Sequence, residues 1–221
     1  EDANVAGIVL RIDSAGLSRA DTQEVMTALR TFRDTGKQVI AYGLGPTNAS
    51  YTLACAADHI VVTPTAVIDL VGLTAGVMFY KDLMDKVGVR ADFVRAGEYK
   101  SAVEPYTRTG MSNEHREMLT RLLDDFYNQM TTTISEGRDL TVAQVADLID
   151  GGPYTAREAL DAGLVDALAY VDELHAYVDD VIGEDVDLVH RSEPARGGGM
   201  GAFLRMVREA AASDAVKQSP N

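Results

Sequence analysis

The chain has 221 residues, and 34 acidic against 20 basic side chains give it a formal charge of −14 at pH 7. That balance excludes a nucleic-acid groove and disfavours an anionic membrane surface, because phosphate binding needs clustered Lys and Arg. One cysteine, Cys55, excludes an internal disulfide and a cysteine-based zinc cage, and no apolar run reaches the ~18 residues of a membrane span.

Strands and helices alternate in the first half. Residues 6–12 form a short apolar run that reads as a buried strand. Ser18 is placed to cap a helix over residues 19–35, with Val25, Met26, Leu29 and Phe32 on one face and Gly36 as its stop. Residues 37–42 read as a strand, the small-residue stretch 47–57 as a tightly packed helix carrying Cys55, and residues 59–62 as another strand. A helix over 77–86 and a strand over 91–95 follow. This order predicts an α/β fold with a parallel sheet flanked by helices.

The second half is mostly helical. Ser112 caps a long helix reaching to about residue 136, with Met118, Leu119, Leu122, Leu123, Phe126, Met130 and Ile134 as its apolar stripe. Helices over 141–149 and 156–162 come next, closed by Gly151-Gly152-Pro153 and by Gly163, then a helix over 172–182 and a strand over 186–190. From residue 193 the composition shifts to a glycine-rich linker and a short amphipathic helix. The chain therefore divides into one domain over 1–192 and an approach to further protein over 193–221.

The four histidines, His59, His115, His175 and His190, share no metal-ligand spacing, and His115 reads as a surface residue in the first turn of its helix. There is no G-x-S-x-G elbow, P-loop or G-x-G-x-x-G, and Gly43-Leu44-Gly45 lacks a third glycine. The segment over 95–105 (RAGEYKSAVEP) stands out instead. Lys100 follows a predicted strand among small residues. If it is desolvated there, its ammonium is disfavoured and the amine becomes a general base able to activate a serine. The alternative is a surface lysine paired with Glu98 or Glu104.

The segment AGEYKSAVEPY, followed by Ser112 and the long helix, resembles the lysine segment of the signal peptide peptidase A (protease IV) family. The resemblance extends to AGIVLRID at the first strand, to FRDTGKQVIA over 32–41, to YTLACAADHIVVTP over 51–64 and to YTAREALDAGLVD over 154–166. It implies a ClpP/crotonase-type spiral of ββα units, cofactor-free Ser/Lys peptidase chemistry on signal peptides and other short apolar peptides, and a ring- or dome-shaped homo-oligomer. It also implies a membrane-anchored protein whose working domain faces the bacterial periplasm.

Two departures qualify that implication. Where the family carries Ser-Gly-Gly-Tyr, this chain has Asn48-Ala-Ser-Tyr51, so Asn48 stands at the nucleophile position and Ser50 is the nearest hydroxyl. The family's Ser-Pro-Gly-Gly oxyanion loop is Ser14-Ala-Gly-Leu17 here. Long members of the family hold two homologous halves, the first supplying the lysine and the second the serine. The chain resembles such a first half, with Lys100 as general base, Ser101 as a supporting hydroxyl, Tyr99 and Glu104 as packing and loop-fixing residues, and the serine in a second half outside this sequence. Three alternatives stay open: a self-sufficient peptidase using Ser50 or Ser14, a catalytically inactive assembly or scaffold subunit, and acyl-CoA chemistry on the same fold.

Overall fold

A computed structural model describes residues 5–13, 17–94, 97, 99–183 and 186–189. The chain divides into two compact units, one formed by Glu1–Val71 with Thr131–Asn221, the other by Gly72–Met130.

The first unit is built on a parallel sheet, β1 (Gly7–Ile12), β2 (Gln38–Gly43), β3 (His59–Val62) and β6 (Ala167–Leu168), in the order β1-β2-β3-β6. The expected strands over 6–12, 37–42 and 59–62 are these first three. Parallel neighbours need crossover helices, and the intervening helices α1 (Arg19–Arg33) and α2 (Asn48–Ala54) supply them. Ser18 caps α1 through a capping box with Asp21, and Gly36 ends that segment at φ +83°, where a Cβ would be strained. The face read from its spacing is the buried one: Val25, Met26, Leu29 and Phe32 are at most 2% exposed.

Strand alternation divides the sheet's two faces. Ile40, Tyr42 and Val61 pack on Leu174 and Val178 of α8 (Leu174–Ile182). On the other face, Ala41, Ile60 and Val62 meet Ser50 and Ala54 of α2 around a void of about 10 Å³. Cys55 is buried at the end of α2.

Two short strands that the sequence pattern did not reveal, β4 (Val67–Ile68) and β5 (Tyr154–Thr155), pair antiparallel. Helix α6 (Val142–Gly151) is capped by Thr141 and α7 (Ala156–Asp161) by Thr155, each through a capping box.

The Gly163–Asp166 turn (Gly-Leu-Val-Asp) organises this unit. Its Asp166 accepts hydrogen bonds from Ile60 N–H at 2.7 Å and from both terminal nitrogens of Arg138 at 2.8 Å. Arg138 also donates to Gly163 O, and the buried Tyr51 hydroxyl donates to Leu164 O at 2.6 Å, which fixes α2 against the turn. Close approach is decisive at Gly137, where a Cβ would lie 2.3 Å from Cys55 O.

The second unit holds α3 (Lys81–Lys86), a 3₁₀ turn (Ser101–Val103), α4 (Glu104–Thr107) and most of α5 (Asn113–Arg138). Four expectations fail, three here and one in the first unit. The helix expected over 77–86 begins only at Lys81, whose ammonium pairs with Asp85 one turn on. Residues 91–94 and 186–189 take no strand pairing; Arg95 and His190 lie outside the described residues. The long helix is present, but Met118 and Leu122 of its expected core stripe are exposed, while Met130 and Ile134 are buried. The linker and helix expected from residue 193 onward also lie outside the described residues.

Candidate active site

In the first unit, Asn48 is the first residue of α2, behind the N-cap residue Thr47. Its side chain is not idle. Nδ2 donates to Val71 O at 2.8 Å and Oδ1 accepts from Val71 N–H at 2.9 Å, so the amide closes a two-bond clasp onto the backbone of residue 71. Beside it, Thr47 and Asp69 form a parallel bridge, and Asp69 N–H donates to Pro46 O. The position where the family resemblance places a nucleophile therefore serves as a structural fastener.

Ser50 is equally committed. It is 4% exposed; its Oγ accepts from Thr47 N–H at 2.8 Å and lies 3.2 Å from Thr47 O, the acceptor for its own proton. These bonds cap α2 and turn the hydroxyl back toward the residue before the helix. Ser14, Ala15 and Gly16 lie outside the described residues, and Leu17 is half-buried ahead of α1.

In the second unit, Gly97 at φ +95° turns the chain, and Lys100 N–H donates to Gly97 O at 3.4 Å. Lys100 precedes the 3₁₀ turn and is exposed, whereas Ser101, the first residue of that turn, is 6% exposed. Tyr99 is half exposed and its hydroxyl donates to Glu117 at 3.3 Å. Glu98, one of the two expected partners of Lys100, lies outside the described residues.

Glu104, the other, is wholly buried and makes a cluster that the sequence pattern did not assemble. Its Oε1 accepts from Ser112 Oγ at 2.6 Å, while Oε2 accepts from Ser112 N–H at 3.1 Å and from His115 Nδ1 at 3.0 Å. Ser112 Oγ in turn accepts from His115 N–H at 3.1 Å, the capping bond of α5. An ionised carboxylate only accepts, so Nδ1 of His115 carries the proton. His115 is 6% exposed, which corrects its expected surface placement: the ring leaves solvent because a buried carboxylate awaits it. Burial pushes the Glu104 pKa up, but the bonds from Ser112 and His115 outweigh it and hold the group below its ordinary value. Ser112 was legible as a helix cap; nothing in the spacing of Glu104 and His115 announced their meeting.

Among the described residues, no three or more His, Cys, Asp and Glu side chains are gathered for a metal ion. No described helix is long and apolar enough to cross a membrane.

Residues 31–183 match the model of peptidase family S49. The chain belongs to that family. A protein named Protease 4 from Salmonella typhi is 38% identical over 178 residues, covering 76% of this chain and 29% of the relative. The chloroplastic serine protease SPPA of Arabidopsis thaliana is 29% identical over 186 residues, covering 84% of this chain and 28% of that protein. The S49 chain thus spans less than a third of either relative. Among solved structures, a mutant of the membrane-bound stomatin-specific protease 1510-N aligns at a TM-score of 0.48 and 13% identity, over 80% of this chain and 70% of that one. The family and the α/β sheet flanked by helices agree with the expectation drawn from the sequence.

Proposed function

We propose that this chain is the lysine-donating half of an S49 serine endopeptidase, with Lys100 as general base and the nucleophilic serine carried by a second, homologous half. The observation that carries this reading is the contrast between the two sites. Asn48 and Ser50 spend their polar atoms on backbone contacts, whereas Lys100 stands exposed on a tethered turn. In the proposed reaction the neutral amine takes the serine proton as Oγ attacks the peptide carbonyl. The amine then returns the proton to the leaving amino group, and water, activated by the same lysine, hydrolyses the acyl-enzyme. An ammonium becomes a base when water is removed around it. Lys100 is exposed in this chain, so the desolvating surface in this mechanism belongs to the second half or a neighbouring subunit.

Cleaved signal peptides and other short apolar peptides are the proposed substrates, at the bacterial envelope on the extracytoplasmic side, within a ring- or dome-shaped homo-oligomer. The exposed Met78, Leu83, Val87 and Val94 support burial of this unit in an assembly. A second reading, an inactive scaffold subunit, draws on the same clasped Asn48. Fluorophosphonate labelling of the complete protein separates the two. The dyad reading expects a labelled serine beyond Asn221 and loss of labelling and peptide hydrolysis in Lys100→Ala. Unchanged hydrolysis in that variant refutes it, and labelling of Ser50 or Ser14 makes the chain a peptidase in its own right.

A further inference from the structure

We infer that Glu104 is a positioning residue for Lys100: its buried carboxylate pins the lysine-bearing turn to the start of α5, so that the amine is presented in one place. The inference rests on the reading of Lys100 as the general base.

Lys100 leads into the 3₁₀ turn Ser101–Val103, which continues without a break into α4 at Glu104. Ser101 and Glu104, one 3₁₀ turn apart, are both buried, while Lys100 itself is exposed. The turn is thus held from beneath at two points and free at its tip. Three residues separate the tip from Glu104, which is little slack for so short and regular a segment.

The carboxylate is bound by several donors at once. Ser112 supplies its hydroxyl and its amide, and His115 supplies Nδ1–H. Because Ser112 caps α5 and His115 lies in its first turn, Glu104 also faces the positive end of a 26-residue helix. Charge-assisted bonds of this kind are short and directional, and they fix a side chain more tightly than neutral ones. A merely packed residue here would need no charge. A buried carboxylate with one partner removed leaves donors unpaired, so the cluster works as a unit.

For general-base catalysis, position matters as much as basicity. A misplacement of about 1 Å can cost on the order of 100-fold in rate. Glu104 touches no reacting atom in this proposal; it acts through the turn.

The test compares Glu104→Gln, Glu104→Asp, Ser112→Ala and Lys100→Ala in the complete protein, with kcat expressed per folded molecule. Thr141→Ala, which removes the α6 cap in the first unit, serves as a control that lowers stability away from the turn. The expected result is a fall in kcat of roughly 10- to 100-fold for Glu104→Gln with KM within about twofold. A smaller fall is expected for Ser112→Ala, which keeps the amide bond to Oε2, and Thr141→Ala is expected to match wild type. The acid limb of the kcat/KM profile is also expected to move in Glu104→Gln, because the base no longer sits in the same surroundings. Should Glu104→Gln not fold, Ser112→Ala carries the same comparison. If the tether variants keep wild-type kcat and acid limb while Lys100→Ala is inactive, the positioning role is overturned and the dyad stands. If Lys100→Ala remains active, both fall.

Discussion

Replacing Asn48 by serine restores the residue type that the family resemblance places at the nucleophile position, and the structure argues that it will cost stability without creating a peptidase. Asn48 makes two hydrogen bonds to Val71, one through each end of its amide. Serine is one atom shorter and has one polar atom where the amide places two side by side, so it does not reach both Val71 N–H and Val71 O. A typical net hydrogen bond contributes about 0.5–1.5 kcal/mol, and Val71 is only half-buried, so water recovers part of the loss. Asn48→Ser is therefore expected to lose about 1–2 kcal/mol. For a chain of 221 residues that corresponds to a fall in Tm of about 3–6 °C. Asn48→Asp is the sharper control. It keeps the size and the bond from Val71 N–H, but turns a carboxylate oxygen toward Val71 O where the amide placed a donor. Circular-dichroism melts of the three proteins, with a peptide-hydrolysis assay on each, measure both effects. A serine variant melting within 1 °C of wild type would show that the clasp holds nothing, and hydrolysis gained by this chain alone would overturn the split-site reading.

Three further outcomes follow from buried groups. The Glu104 pKa is lowered on folding, so its contribution is fully present above its unfolded value of about 4.3 and is lost as pH falls through the lower folded one. The stability gap between wild type and Glu104→Gln, from urea melts, is expected to be constant near neutrality and to close below about pH 4; a gap independent of pH would mean that the carboxylate charge is not what the cluster recognises. Arg138→Met is expected to destabilise the first unit by about 1–2 kcal/mol, since it removes the donors to Asp166 and Gly163 O, which water then reaches and partly replaces. Cys55, whose thiol is pushed up to about 12 by burial, is expected to stay unreactive toward a disulfide reagent at pH 8 until the chain is unfolded.

What was legible in the sequence follows the locality of the forces. The capping serine and glycine stop of α1, and its buried face, depend on neighbours within a few residues, and they appear where the pattern puts them. The apolar runs of β2 and β3 are short and unbroken because both their faces are covered. The pattern was silent on β4 and β5, which are two residues each and pair across more than 80 positions. A strand of two residues has no period to read. The stripe of α5 misled in a different way: its spacing is helical and the helix exists, but amphipathicity says only that a face is apolar, not that the same chain covers it. Asn48 was recognised as a departure from the nucleophile position, yet its clasp needed residue 71, which no local rule connects to residue 48.

The same distinction bears on the chemistry. A nucleophile requires an unspent lone pair and a base within reach of its proton, and around α2 the polar atoms that stand in the right place are spent on Val71 and Thr47. A base requires an amine that can be brought to a serine and stripped of water there. Freezing a long, solvated side chain costs up to about 2 kcal/mol, and ordering the backbone beneath it costs about 1–2 kcal/mol per residue. If that ordering had to wait for the serine-bearing surface, the cost would weaken the encounter itself. The Glu104 cluster orders the backbone of the turn beforehand, within this chain, and leaves only the side chain of Lys100 to be fixed. If Lys100 is the base of a split dyad, loss of the cluster acts on the alignment of base and serine rather than on the grip on the peptide, and its effect then belongs in kcat and not in KM.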